Sequence, residues 1–219
     1  MKRTFIITGI SGTLASGVAK KIIESGGGRV IGVGRSDPKI ANVGFIETDL
    51  ANDDSIENSV KKILTLIDDE PIFLLNIAGS MQKPKIEKGE TKRVYQANIL
   101  GGIYLTSLLL DKIKETEGDI LNVSSTAGTK GVAAEPIYSS SKWAVRGFTK
   151  SLQEQLKNTK CRAIDFAIGG FVSNMPNGRP IENANEWIPT EDAVNLLYTI
   201  TNVPKSIQIS TIIADRKIH

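Results

Sequence analysis

The chain has 219 residues, of which 40% are hydrophobic and 23% charged, with a formal net charge of +3. That length suits one large domain, residues 1–219, with a substantial core, and so mild a charge makes no electrostatic case for nucleic acid or membrane. The lone Cys161 allows no internal disulfide, and His219, the only histidine, leaves no Ser-His-Asp hydrolase and no histidine metal site.

Short β-branched runs then alternate with longer amphipathic segments. Phe5-Ile6-Ile7 predicts a first strand, followed by a helix at about Leu14–Ser25 that the triplet Gly26-Gly27-Gly28 stops. Val30–Val33 and Val43–Ile46 read as strands two and three. Apolar residues at helical spacing mark Ser55–Ile67, and Ile72–Leu75 is a buried strand. A long helix is expected over Thr91–Glu115, a strand over Asp119–Val123, and a helix from Pro136, well placed in a first turn, to near Leu156. Arg162–Ile168 is a sixth strand, Glu191–Thr201 a helix and Ile207–Ile213 a last strand. Apolar strands alternating with helices predict an α/β, doubly wound fold: a mostly parallel sheet of about seven strands with helices on both faces. No run approaches the ~20 apolar residues of a membrane span, the start is too short for a signal peptide, and a cytoplasmic protein is expected.

Thr8-Gly9-Ile10-Ser11-Gly12-Thr13-Leu14-Ala15 stands where the first strand turns into a helix. Glycines there let backbone approach a pyrophosphate, and the helix start offers it unpaired N–H groups, so Gly9, Ser11, Gly12, Thr13 and Leu14 are candidate cofactor contacts. A plain tight turn is the competing reading. After the second strand, a site for NAD would place a carboxylate to bind both ribose hydroxyls. Here Gly34 leaves room, Arg35 offers a fork matched to a 2′-phosphate and Ser36 a further donor, which favours NADP(H) over NAD(H). Asp49, next to Leu50, either accepts from the adenine amino group or caps the helix that begins near Asn52.

Tyr138 and Lys142 are four residues apart on the predicted helix, so the ammonium stands one turn above the phenol. A nearby cation favours the phenolate and would draw the phenol's pKa of about 10 toward neutrality. Ser125, just past the run Ile120-Leu121-Asn122-Val123, would sit at a strand mouth beneath that helix. Together the three groups can bind a carbonyl oxygen and exchange a proton with it. Tyr-x-x-x-Lys alone recurs by chance in many helices; its weight comes from the other parts standing in order around it.

In that order the parts resemble the short-chain dehydrogenase/reductase family, on Thr8-Gly9 with Gly12, Asn76-Ile77-Ala78-Gly79, Asn98 within Tyr95–Gly101, and Ser124-Ser125 with Tyr138 and Lys142. The resemblance implies a single-domain Rossmann fold in which Tyr138 is the acid/base. Lys142 lowers its pKa and binds the nicotinamide ribose, Ser125 polarises the substrate oxygen, and Asn98 holds a water linking Lys142 to solvent. It further implies that Asn76 braces the sheet while Ala78 and Gly79 admit the cofactor. Gly170 and the Val172 backbone would hold the nicotinamide carboxamide, with Asn174 where the family often has threonine. Ser124 is then structural, and Ser139, Ser140 and Ser141 are helix filler. Gly12 comes one residue early, Ala15 replaces the last glycine, and Gly169 replaces a usual proline. The implied reaction is NADP(H)-dependent reduction of a small ketone or aldehyde, or its reverse, by a homodimer or homotetramer paired through the helices Thr91–Glu115 and Pro136–Leu156. The rivals are a nucleotide-binding regulator of the same fold and an epimerase or isomerase that retains its cofactor, the latter short of room because only 51 residues follow Ile168. The substrate pocket should be bordered by Thr126–Ala134 and the polar segment Ser173–Ile188, whose Arg179 either meets an acidic group or faces solvent.

Overall fold

Strand burial decides the architecture. In the computed structural model, which describes residues 3–83, 86–173 and 186–217, strands β1 (Thr4–Thr8), β5 (Asp119–Val123) and β6 (Arg162–Ile168) are buried along their whole length. A strand covered on both faces belongs inside a parallel sheet. Seven strands pair in the order β3-β2-β1-β4-β5-β6-β7, all parallel, with β2 at Arg29–Gly34, β3 at Val43–Glu47, β4 at Ile72–Asn76 and β7 at Thr211–Ala214. The chain winds outward from β1 to β3 and then returns to β4 on the other side of β1. The reversal opens a crevice at the carboxyl ends of β1 and β4, where doubly wound sheets bind ligands.

Alternate residues of each strand feed two cores. Phe5, Ile7, Phe73, Leu75 and Leu121 face helices α1 (Thr13–Glu24) and α6 (Thr190–Ile200). Ile6, Ile72, Leu74 and Ile120 face α2 (Asp53–Leu66), α4 (Gly101–Glu115) and α5 (Pro136–Leu156). Each fully buried side chain of this kind contributes about 1.5–3 kcal/mol. α1 ends as expected: Gly26 turns left-handed at φ 63° and the Gly27 N–H returns to Ile22 O at 2.8 Å.

Two elements depart from the expected pattern. The helix expected over Thr91–Glu115 is built in three pieces: α3 (Glu90–Tyr95), a widened π turn over Gln96–Leu100 and α4. The last strand begins at Thr211 rather than Ile207 because the carbonyls of Val203, Pro204 and Ile207 turn in to the buried Arg162 guanidinium, at 3.1, 2.9 and 2.8 Å, instead of joining the ladder. Among the described residues no helix is long and apolar enough to cross a membrane.

Candidate active site

The crevice is a cleft of about 1160 Å³ running from Arg35 to Arg216 along the carboxyl edge of the sheet. At one end, Gly9 leaves β1 at φ +69°, and a Cβ there would lie 2.8 Å from Ala78 Cα, so only glycine lets the loops after β1 and β4 touch. Gly12 starts α1 with no side-chain cap, which leaves the helix start facing the cleft that Ser11, Thr13 and Leu14 also line. Arg35 and Ser36 follow β2 into the cleft. The Arg35 guanidinium makes no ion pair or hydrogen bond among the described residues, whereas the neighbouring Asp37 carboxylate is taken by the Lys39 N–H and ammonium at 2.8 and 2.9 Å. Asn52, not Asp49, caps α2, accepting from the Ser55 N–H at 2.9 Å. Asp49 lies in the cleft wall beside Leu50, with Oδ1 accepting from the Ala51 N–H at 3.0 Å. A cradle closed to any Cβ, an uncapped helix start and an unpaired guanidinium fit a dinucleotide phosphate.

Midway along the cleft stand Ser125, Tyr138 and Lys142. Ser125 ends the β5 strand region in extended backbone, accepts from the Ala127 N–H at 3.1 Å, and its hydroxyl stands close enough to the Tyr138 phenol to lower its pKa. Lys142, one turn further along α5, donates to Val123 O at 2.9 Å and lies 5.7 Å from the centre of the Tyr138 ring. Ser124 points the other way, onto Asp165, whose second oxygen accepts from Arg146 Nε at 2.9 Å. Gly79 borders both Lys142 and Asn98: a Cβ there would stand 3.5 Å from Lys142 Nζ and 3.4 Å from Asn98 Oδ1.

Burial dominates the charges. It pushes the Tyr138 phenol up to about 12, against the lowering effect of the nearby Ser125 hydroxyl and with a further rise from Glu135. It pulls Lys142 down to about 8, although the negative charge of Asp165 favours the ammonium. The expected lowering of the phenol by Lys142 is not found: burial sets the direction, and the Lys142 ammonium donates to Val123 O instead. At neutral pH the cleft presents a protonated phenol beside an ammonium, able to donate a proton to an oxygen seated between Ser125 and Tyr138.

Other expected residues take different work. The Asn98 side chain is spent within the protein: Oδ1 accepts from the Ser80 N–H at 2.6 Å, and Nδ2 donates to Ser80 O at 3.0 Å and Ser141 Oγ at 2.9 Å. Asn76 Nδ2 donates to Thr106 Oγ1 and Asn122 Oδ1 at 2.9 and 2.8 Å, bracing β4 to α4 and β5 behind the cleft. Val172 gives its N–H to Ile188 O at 3.0 Å and its carbonyl receives the Thr190 hydroxyl at 2.5 Å, so its backbone is occupied by protein rather than open to a carboxamide. The reason is local: past Gly169, where the chain lacks proline, Phe171 pairs with Ile188, and Gly170 packs under the Trp187 ring, 3.0 Å from where a Cβ would stand. Asn174 and Arg179 lie outside the described residues. The three serines read as filler are not: Ser139 donates to Ala127 O at 2.6 Å, Ser140 receives the Tyr95 hydroxyl at 2.9 Å, and Ser141 is bound by Asn98.

Several residues of the site carried no signal in the sequence. Gln82 accepts from the Ile137 and Tyr138 N–H groups at 2.8 and 3.1 Å. Glu90 accepts from the Lys83 N–H at 2.6 Å and pairs with Arg93, whose hydrogen bond, ahead of the other causes, draws the carboxyl down to about 2. Asp215 and Arg216, after β7, line the far end of the cleft, where the guanidinium stands 5.7 Å from the Trp187 ring.

The family model for short chain dehydrogenases matches residues 3–183. The chain belongs to that family. Short-chain dehydrogenases are nicotinamide-dependent oxidoreductases, and this one shares 25% identity over 227 residues with the 3-oxoacyl-[acyl-carrier-protein] reductase of Chlamydia muridarum, covering 92% of this chain and 91% of that one. Its fold matches the 3-ketoacyl-(acyl-carrier-protein) reductase of Brucella melitensis complexed with NADH at a TM-score of 0.85 and 20% identity, over 98% of this chain and 96% of the other. An alcohol dehydrogenase of Thermococcus sibiricus complexed with 5-hydroxy-NADP superposes at 0.82 with 16% identity, over 97% and 96%.

Proposed function

We propose that this short-chain dehydrogenase, acting as one catalytic unit over residues 1–219, reduces a small ketone or aldehyde to an alcohol, or runs the reverse, with NADP(H) preferred over NAD(H). The observation that carries the reading is that Ser125, Tyr138 and Lys142 line one cleft, with the Lys142 ammonium one turn from Tyr138 and 5.7 Å from its ring centre. When bound, the nicotinamide supplies or accepts the hydride. Ser125 orients the substrate oxygen, and Tyr138, protonated at neutral pH, delivers a proton to it as negative charge develops. Lys142 contributes a positive field that stabilises the phenolate left behind.

The preference for NADP(H) rests on Arg35, unpaired among the described residues, with Ser36 beside it and the carboxylate two residues on, Asp37, occupied by Lys39. Arg35→Ala should weaken NADPH about 10–100-fold, the worth of a charge-assisted hydrogen bond or two, and leave NADH nearly unchanged; equal losses refute the preference. Pairing of two copies through α4 and α5 is supported by the apolar side chains those helices leave outside, Leu108 and Trp143, with Leu100 just before α4.

A spectrophotometric panel of aldehydes, ketones and keto-esters with NADPH and with NADH tests the reaction. NADPH consumption with at least one carbonyl is the expected result. Tight cofactor binding with no consumption across the panel would favour a regulatory protein, and cofactor that co-purifies and is never released would favour an isomerase.

A further inference from the structure

We infer that Gln82 is a positioning residue for the reaction: it caps α5 from across the fold and so seats Tyr138 against Ser125. The inference rests on Tyr138 being the acid/base. The first N–H groups of any helix lack acceptors within it. In α5 the leading residue is Pro136, and Glu135 before it makes no side-chain cap hydrogen bond. Tyr138 is the third residue of this helix, inside the turn most ready to fray.

The missing cap comes from 55 and 56 residues upstream. Gln82 Oε1 accepts from both the Ile137 and the Tyr138 N–H, at 2.8 and 3.1 Å, while Nε2 donates to Ala134 O at 3.4 Å. The side chain is 2% exposed and is not part of the cleft lining, and its hydrogen bond to Tyr138 is made at the backbone N–H. Its own backbone is held on both sides. Asn98 grips the N–H and carbonyl of Ser80, Arg93 Nη2 donates to Met81 O at 2.7 Å, and Glu90 takes the Lys83 N–H at 2.6 Å. Asn98 also binds Ser141, which in turn donates to Tyr138 O at 2.7 Å. Both backbone groups of Tyr138 are therefore tied to the segment after β4, the N–H through Gln82 and the carbonyl through Ser141 and Asn98. A phenol that must face the same substrate oxygen as Ser125 tolerates little rotation of its helix, and displacement of a reacting group by about 1 Å can cost 10²-fold in rate.

Three variants decide the matter, each read by amide hydrogen exchange on the free protein and by steady-state kinetics on a carbonyl found active in the panel. Gln82→Leu should speed exchange of the Ile137 and Tyr138 amides at least about tenfold while leaving Val145, in the middle of α5, unchanged. Its kcat should fall about 10–100-fold with cofactor KM within about twofold. Gln82→Glu, which keeps the accepting oxygen, should restore amide protection and most of kcat. If Gln82→Leu does not fold, Gln82→Asn, one methylene short of the two amides, takes its place with the same expectations. A folded variant lacking the cap but turning over like the wild type, or a Glu variant as impaired as the Leu variant, overturns the inference. Tyr138→Phe separates the two readings: if it stays active the assigned acid is wrong, whereas an inactive Tyr138→Phe beside a fully active Gln82→Leu removes only the role of Gln82.

Discussion

Asp119 and Asp165 lie on neighbouring strands, are 3% and 1% exposed, and each pairs with an arginine, yet the two ion pairs serve different ends of the sheet. Asp119, at the start of β5, receives four donors: the Arg162 N–H, Nε and Nη2 at 2.9, 3.2 and 2.7 Å, and Lys205 Nζ at 2.6 Å. The rest of Arg162 is used up on the carbonyls before β7, so this network closes on itself. Asp165 sits toward the carboxyl edge, between Ser124 and Arg146, and Arg146 also holds Gly128 O at 3.0 Å, the end of the turn that Ser125 begins. Its charge reaches the buried Lys142. One pair is a bolt remote from the cleft; the other sets the electrostatics behind it. A buried ion pair therefore says nothing about function until its neighbours are known.

The contrast can be broken at either end. The largest effect belongs to the cleft: Tyr138→Phe should lower turnover about 10²–10⁴-fold with an almost unchanged melting temperature, and an active variant would end the assignment. Next, Asp119→Ala should cost about 3–5 kcal/mol in denaturant unfolding by stranding Arg162 and Lys205, with kcat per folded molecule unchanged; a fall in kcat would show that the bolt is not remote after all. Smaller still, Asp165→Asn removes the charge that favours the Lys142 ammonium, so Lys142 should lose its proton at lower pH than in the wild type. The alkaline limb of the carbonyl-reduction profile should then move down by about one pH unit, and an unmoved limb would disconnect Asp165 from the site. The smallest effect concerns Glu90. Its carboxyl titrates near 2, below the ordinary value of 4.5, because Arg93 and the Lys83 N–H favour the charged form. That contribution is complete above about pH 4.5 and is lost as the pH falls toward about 2. Glu90→Gln should flatten this part of the acid-unfolding curve, and an unchanged slope would place the acid sensitivity elsewhere.

The inner strands were legible because β1, β5 and β6 are largely apolar runs buried along their length, and the helices because Val18, Ile22, Ile56 and Ile63 recur at helical spacing. Tyr138 and Lys142 were legible for the same reason, one helix face being a local property. Gln82 was not: nothing in Ser80-Met81-Gln82 announces a contact with a helix more than fifty residues away. The engagement of Val172 with Ile188 and the widened turn at Gln96–Leu100 were hidden too, since both are settled by what packs alongside. The pKa order failed at one point. Spacing brings an ammonium near a phenol, but only the depth of the cleft decides that desolvation prevails.

The π turn has a consequence for how this protein tolerates change. Each helical residue advances the spiral by about 100°. The widened turn fits one residue more than an α turn into about the same rotation, so α3 and α4 keep the facing of one continuous helix. Without the widening the extra residue would turn the two halves about 100° apart, and either Val94 and Tyr95 would swing away from α5 or Leu105, Leu109 and Ile113 would leave the core. Loss of one residue there should be absorbed as an ordinary helix, whereas gain of another would have to be taken up elsewhere.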